Sequence, residues 1–205
     1  MVGYIISINK CKDEDLIVRV LTASKIYTLY RFYGARHSTI NLGYKIDFNT
    51  EKQGVYMPRL RNILHLGYDW LFDAKKVFFW QEFIKLLSKH LFDVEEIGCG
   101  YFEALENLAK KIKTQDAQRA IIETYTKILE LEGRLNSGLK CFICNQKINE
   151  QIGLNRAFLP SHPNCTPSNV YLAQNEVKDL FENKKTIFLS DELCSKLFKL
   201  IKQGL

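Results

Sequence analysis

The fold of this chain is decided by residues 16–68, which read LIVRVLTASKIYTLYRFYGARHSTINLGYKIDFNTEKQGVYMPRLRNILHLGY. Short runs of β-branched and aromatic residues alternate there with turn residues, a pattern typical of strands. Together with the run before them, they predict five strands: Val2–Ile8, Leu16–Leu21, Ile26–Tyr33, Tyr44–Asn49 and Val55–Leu66. Five short strands are too few for two full sheets, so the pattern predicts a small barrel of the OB type.

The same stretch carries the net charge of the protein. Its acidic residues are Asp47 and Glu51, against eight basic residues, so its net charge equals the +6 of all 205 residues. Aromatic residues are interleaved with these bases. Because Lys and Arg attract phosphates and exposed rings stack on bases, the pattern favours a nucleic-acid surface, although a barrel with an aromatic core and solvated charges has the same composition. The candidate contact residues are Arg19, Lys25, Tyr27, Arg31, Tyr33, Arg36, His37, Lys45, Arg59 and Arg61.

Near residue 70 the hydrophobic period changes from two to three or four, which indicates helices. Apolar stripes predict helices over 75–92, 101–113 and about 116–132, the last followed by Gly133 as a stop signal. Ser190 has the character of an N-cap for a final helix, and Thr166-Pro167 is expected to begin another.

A metal-binding pattern lies between these helical segments. Cys141 and Cys144 form a C-x2-C pair, 17 residues separate Cys144 from His162, and Cys165 follows His162 at the same spacing. Two such knuckles at this separation bring four ligands to one point, so the spacing predicts one structural zinc ion. A redox disulfide between Cys141 and Cys144 is the alternative, but it leaves the second pair unexplained.

The predicted fold is therefore an α+β multidomain chain, with a five-stranded OB-type barrel followed by an α-helical domain with an inserted zinc knuckle. The expected segments are a barrel over 1–70, a helical domain over 71–138, a zinc-binding insertion over 139–166, and C-terminal helices over 167–205 that pack on the helical domain. Neither a signal peptide nor a long apolar span is evident, which predicts a cytoplasmic protein with no membrane association.

Familiar catalytic motifs are missing from the sequence, including the phosphate loop, the G-x-G-x-x-G turn, the nucleophile elbow and H-E-x-x-H. We therefore expect a binding protein rather than an enzyme. Two alternatives stay open: an RNA-binding or ribosome-associated zinc protein, and a zinc-dependent hydrolase or nuclease.

The order of parts resembles the bacterial RecO recombination mediator family. Residues 13–22, DEDLIVRVLT, resemble the family's acidic turn and second strand, and residues 33–38, YGARHS, resemble its K-G-A-R-R-S segment. Tyr33 and His37 replace two positions that are usually basic, so Arg36 is the best carry-over. The zinc knuckle resembles the family's four-cysteine finger, with His162 at a position where cysteine is usual.

This resemblance implies a non-enzymatic mediator of DNA repair, located in the cytoplasm with the nucleoid. Family members bind single- and double-stranded DNA, anneal complementary strands and associate with RecR. They also bind the acidic C-terminal tail of single-stranded-DNA-binding protein, and so help to load RecA on gapped DNA. The candidate contact residues would then bind DNA, and Lys110, Lys111 and Arg119 are candidates for the tail.

Overall fold

A computed structural model describes residues 1–36, 38–52 and 54–205. These residues form two compact units, Met1–Ala109 and Lys110–Leu205. The division into the four segments given above stays a prediction.

The first unit contains a closed five-stranded barrel, as the strand pattern predicts. Its strands are β1 (Val2–Lys10), β2 (Leu16–Leu21), β3 (Ile26–Arg31), β4 (Lys45–Glu51) and β5 (Arg59–His65). They are hydrogen-bonded in the order β1-β2-β3-β5-β4, and β4 pairs with β1 to close the barrel. The contact between β3 and β5 is parallel, with Tyr30 opposite Arg59, whereas the other neighbouring pairs are antiparallel. Closure leaves no unpaired edge, and this is the OB-type fold.

A hydrophobic core fills the barrel because alternate strand residues point inward. Its buried members are Ile5, Leu16, Val18, Val20, Leu29, Ile40, Ile46, Phe48 and Leu60. Gly43 is required where the chain turns before β4, since its φ is +81° and an added Cβ would lie 2.2 Å from Trp80 Nε1. The Trp80 indole donates a hydrogen bond to the Gly43 carbonyl at 3.0 Å.

Two helices follow the barrel, α1 (Ala74–His90) and α2 (Gly100–Thr114), and the boundary between the units falls within α2. Asp73 caps α1 by accepting hydrogen bonds from the first-turn amides. Tyr4 of β1 donates to Glu106 Oε1 at 2.6 Å, and Lys45 forms an ion pair with the same oxygen at 2.7 Å. These bonds hold the part of α2 that belongs to the first unit, up to Ala109, against the barrel.

The second unit contains α3 (Ala117–Leu131), α4 (Gln174–Lys178) and α5 (Asp191–Ile201), and a small sheet of β6 (Ile152–Leu154), β7 (Pro160–Ser161) and β8 (Tyr171–Leu172). The predicted cap Ser190 is confirmed, since its side chain accepts a hydrogen bond from the Leu193 amide in the first turn of α5. Asp116 caps α3 in the same way. Gly133 follows α3 with a φ of +67°.

Two local predictions were wrong. Residues 55–58 do not extend β5, because Pro58 cannot donate to a sheet and the strand begins after it, at Arg59. Thr166-Pro167 does not begin a helix; residues 166–170 lead into β8, and α4 begins only at Gln174. Among the described residues, no helix is long and apolar enough to cross a membrane.

Candidate nucleic-acid interface and metal centre

An open cleft of about 250 Å³ lies on the barrel beside β3, at the loop that joins β4 to β5. Ligands of OB-fold proteins bind on the face of the second and third strands and at this same loop. We refer to the cleft as the aromatic pocket, which is lined by Tyr30, Phe32, Tyr56, Met57 and Arg59.

The aromatic pocket offers ring faces to solvent. Phe32 is 40% exposed and Tyr56 is 79% exposed. Tyr30 meets Phe32 edge to face at 5.0 Å between centroids, and the Arg59 guanidinium lies 4.7 Å from the Phe32 ring centroid. Exposed rings beside a cation are suited to stacking a nucleic-acid base next to a phosphate.

Asp15, which ends the acidic turn before β2, holds one wall of this pocket. Its carboxylate accepts hydrogen bonds from the Tyr30 hydroxyl and from the Tyr33 amide, the latter at 2.6 Å. The hydrogen bond to Asp15 raises the pKa of Tyr30 to about 12. The hydrogen bond to Asp15 thus orients the Tyr30 ring in the wall of the pocket.

A second cleft of about 320 Å³ follows the first along β3 and the same loop. Lys25 and Lys52 lie on its walls, and the Lys25 ammonium is 4.4 Å from the Tyr27 ring centroid. Glu95 and Glu96 line the cleft as well. Within the described part of the chain, neither lysine forms an ion pair, and nor does Arg59.

Two of the arginines predicted for DNA binding are engaged by backbone carbonyls instead. Arg19 donates to the carbonyls of Leu91 and Val94 at 2.8 and 3.2 Å. Arg31 donates to the Leu60 carbonyl at 3.1 Å. Burial lowers the pKa of both guanidinium groups, and the charge of Arg61 lowers that of Arg31 further.

Three more of the predicted cations form ion pairs. Their partners are Glu14 for Arg36, Glu106 for Lys45 at 2.7 Å and Glu51 for Arg61 at 2.8 Å. The Arg36 guanidinium also lies 5.1 Å from the ring centroid of Tyr33, which is half exposed. The basic residues that the sequence groups together are therefore divided between anchoring roles and an open surface.

The remaining predicted residues differ in exposure. Tyr27 is partly buried and packs edge to face on Phe48 of the core at 6.0 Å. His37 lies outside the described residues. Phe32 and Tyr56 line the pocket but are not among the residues predicted from the sequence. Gly54 and Pro58, which lie on either side of Tyr56 in the sequence, were the available signal that a loop and not a strand carries Tyr56.

The four predicted metal ligands do meet in the second unit. One ligand atom from each of Cys141, Cys144, His162 and Cys165 lies within 4.8 Å of the others. The His162 Nδ1 atom is 3.4 Å from the Cys144 sulfur and 3.7 Å from the Cys165 sulfur. Sulfur and nitrogen ligands of one tetrahedral zinc ion lie about 3.5 Å apart, given bonds of about 2.3 and 2.0 Å. The cluster can bind one metal ion, and its donors fit zinc.

Hydrogen bonds and burial act differently on the individual ligands of the cluster. His162 Nε2 lies 3.2 Å from the Lys147 carbonyl, so a proton on Nε2 leaves Nδ1 free to coordinate. Burial raises the pKa of Cys141, but hydrogen bonds from the backbone amides of Cys144 and His162 outweigh it and lower the pKa to about 6. Burial and hydrogen bonds with the neighbouring thiols raise the pKa of Cys165 to about 11.

Of the helix residues considered for tail binding, two are already engaged. Arg119 donates to the Thr186 and Leu189 carbonyls at 2.6 and 2.8 Å. Lys111 forms an ion pair with buried Glu123 at 2.5 Å. Their charges serve the internal structure of the second unit.

Comparison with known families gives one match. Residues 1–71, about a third of the chain, match the family model described as RecO N terminal. The matched residues contain the whole barrel, so the barrel is similar to the N-terminal domain of RecO proteins. No curated protein matches the chain.

Proposed function

We propose, from the RecO assignment of its barrel, that this chain is a recombination mediator that binds DNA through β3 and the β4–β5 loop. The assignment supports a role in DNA repair or recombination. The observation that carries the proposal is the aromatic pocket, which combines solvent-exposed rings with the Arg59 guanidinium at the ligand face of an OB-type barrel. Arg59 forms no ion pair with any other described residue.

The pocket and the neighbouring cleft support contact with single strands in particular. Bases of a duplex are stacked inside it, whereas an unpaired base can stack on Phe32 or Tyr56. Lys25, Lys52 and Arg59 then neutralise phosphates along the same strand. The proposed contact set thus differs from the sequence-based one by adding Phe32, Tyr56 and Lys52.

The remaining parts of the proposal come from the family resemblance. The protein binds single- and double-stranded DNA, anneals complementary strands and helps to load RecA, in contact with RecR and the tail of single-stranded-DNA-binding protein. It acts in the cytoplasm at the nucleoid. Annealing breaks no covalent bond and needs only neutralisation of two strands that repel each other, so the proposal includes no enzymatic activity.

The metal in this proposal is one structural zinc ion. Cys141, Cys144, His162 and Cys165 would hold such an ion with four protein ligands, the usual number for a structural zinc site, which would leave no position for a reactive water. Zinc bound in this way supplies folding free energy to a short polar segment. The arrangement supports a structural ion better than it supports a zinc-dependent hydrolase.

A strand-annealing assay tests the DNA proposal. We expect the double variant Phe32→Ala and Tyr56→Ala to anneal complementary oligonucleotides more slowly and to bind oligo(dT) about tenfold more weakly, since stacking contributes about 1–3 kcal/mol per base. Phe72→Ala is the matched control, because Phe72 is 97% exposed in the same unit and does not line the pocket. The assay is run with and without single-stranded-DNA-binding protein.

Equal annealing and binding by the pocket variant and the wild type would contradict the proposal. Competition between DNA and RNA oligonucleotides of the same sequence tests the alternative of an RNA-binding protein, since RNA presents 2′-hydroxyls that DNA lacks. Stronger competition by RNA would favour that alternative.

A further inference from the structure

The segment that carries the four candidate metal ligands displays two apolar side chains at its tip. Phe142 and Ile143, between the first two ligands, are 41% and 56% exposed. Their backbone is fixed on both sides, because the Phe142 amide donates to the Pro160 carbonyl at 3.0 Å and the Cys141 amide to the Gln146 carbonyl at 2.9 Å. The ring of Phe142 is therefore presented to solvent from a rigid base.

Two lysines flank this tip. Lys140 and Lys147 face each other in an isolated antiparallel bridge, so their side chains leave the ribbon on the same side. Both are exposed, and neither forms an ion pair with another described residue. Residues 139–149 contain no Asp or Glu. Like charges directly opposite each other are unfavourable, and a bound polyanion would relieve this repulsion.

The ligand set keeps the tip compatible with an anion. A zinc ion held by three thiolates and a neutral imidazole carries a net charge of about −1, whereas four thiolates would give about −2. His162 therefore removes one unit of negative charge next to the lysines. Its Nε2 proton is directed to the carbonyl of Lys147, one of the two lysines concerned.

We infer that this knuckle tip, formed by Phe142, Ile143, Lys140 and Lys147, is a second contact site for single-stranded nucleic acid. A base stacks on the Phe142 ring, and the two ammonium groups contact phosphates on either side of it. An exposed aromatic ring near a pair of lysines in the chain favours this ligand over an acidic peptide, which needs the cations but not the ring. The site belongs to the second unit and does not depend on the barrel site.

Binding of oligo(dT) by the zinc-loaded full chain tests the inference, with zinc content measured for every variant. We expect Phe142→Ala to weaken binding about fivefold or more. Phe188→Ala is the matched control, since Phe188 is 65% exposed in the same unit and lies outside the knuckle. Phe142→Ala and its control Phe188→Ala are also compared in a protein that already carries Phe32→Ala and Tyr56→Ala. The effect of Phe142→Ala persists there, whether or not the barrel site is correct.

Two charge variants extend the test. Replacing Lys140 and Lys147 by Gln is expected to reduce the salt slope of binding by about 1.4, at about 0.7 per phosphate contact. His162→Cys is expected to retain zinc and to weaken binding about twofold at low salt, with the difference lost at high salt. Photocrosslinking with a halogenated oligo(dT) is expected to label residues 139–149.

Wild-type binding by zinc-loaded Phe142→Ala and by the double lysine variant would overturn the inference, as would the absence of crosslinks in residues 139–149. In that case the tip is a surface for a ligand of another class, such as an acidic peptide.

Discussion

The barrel and the metal knuckle hold their shapes by different means. The barrel closes five strands around a hydrophobic core that includes Val18, Leu29 and Phe48. The knuckle, residues 141–165, has short strands and exposed residues around its ligands, and its four donors converge on one point. The comparison teaches that apolar burial positions the pocket of the barrel, whereas the ring displayed by the knuckle is positioned beside four converging metal-ligand side chains.

The largest expected effect separates these two sources of stability. Cys141→Ser should abolish binding of one zinc equivalent and unfold the knuckle, since structural zinc contributes about 10–16 kcal/mol in zinc-finger peptides. Both tryptophans, Trp70 and Trp80, lie in the first unit, so tryptophan fluorescence should remain native. Metal analysis and hydrogen exchange of residues 141–165 measure the loss.

Cys11→Ser provides the control, because Cys11 is exposed and is not a ligand. A Cys141→Ser protein that retains zinc and native hydrogen-exchange protection would refute the structural role of the metal.

The reverse experiment weakens the barrel and spares the knuckle. Phe48 is buried at 1% exposure within the barrel core. Phe48→Ala should lower the free energy of unfolding of the first unit by about 3–5 kcal/mol, since it removes a large side chain and leaves a cavity. Denaturation followed by tryptophan fluorescence measures this change, while zinc content should stay at one equivalent. A loss smaller than about 1 kcal/mol would show that the core does not depend on this ring.

A smaller effect concerns pH and the barrel alone. His65 of β5 stacks on Tyr44 at 4.0 Å, and burial lowers the pKa of its imidazole. The unfolded chain then binds a proton more readily than the folded barrel. Above the ordinary pKa of about 6.5, His65 does not lower the free energy of unfolding. The free energy of unfolding decreases as the pH falls from there towards the lower pKa of the folded state.

Denaturation followed by tryptophan fluorescence should therefore show that the free energy of unfolding decreases between pH 7.5 and 5.5. His65→Phe should reduce this decrease, because phenylalanine keeps an aromatic ring and cannot titrate. An identical pH dependence in wild type and His65→Phe would assign the decline to other groups.

The comparison also shows what sequence patterns can predict. The number of strands, the barrel architecture and the ligand set were predictable, because they depend on the hydrophobic period and on fixed ligand spacing. The availability of individual charges was not predictable, since Arg19 and Arg36 differ from Arg59 only through tertiary contacts. Arg19 meets the carbonyls of Leu91 and Val94, more than seventy positions later in the chain.

The loop after β4 shows a second limit. Its apolar residues Val55, Tyr56 and Met57 have the composition of a strand, yet Pro58 and the start of β5 at Arg59 leave them exposed. Apolar residues normally predict a buried element, but a binding surface can require the same residues to be exposed. The pocket could therefore be recognised only once the fold had placed this loop beside β3.

The most direct test of the central claim is the salt dependence of oligo(dT) binding by two double variants that remove the same charge. Lys52→Gln with Arg59→Gln removes cations that form no ion pair within the described residues. Arg36→Gln with Arg61→Gln removes cations paired with Glu14 and Glu51. We predict that the first pair lowers the slope of log affinity against log salt by about 1.4, and that the second pair lowers it by clearly less. Equal slopes for the two pairs, or a larger loss for the second, would contradict a DNA-binding surface at β3 and the β4–β5 loop.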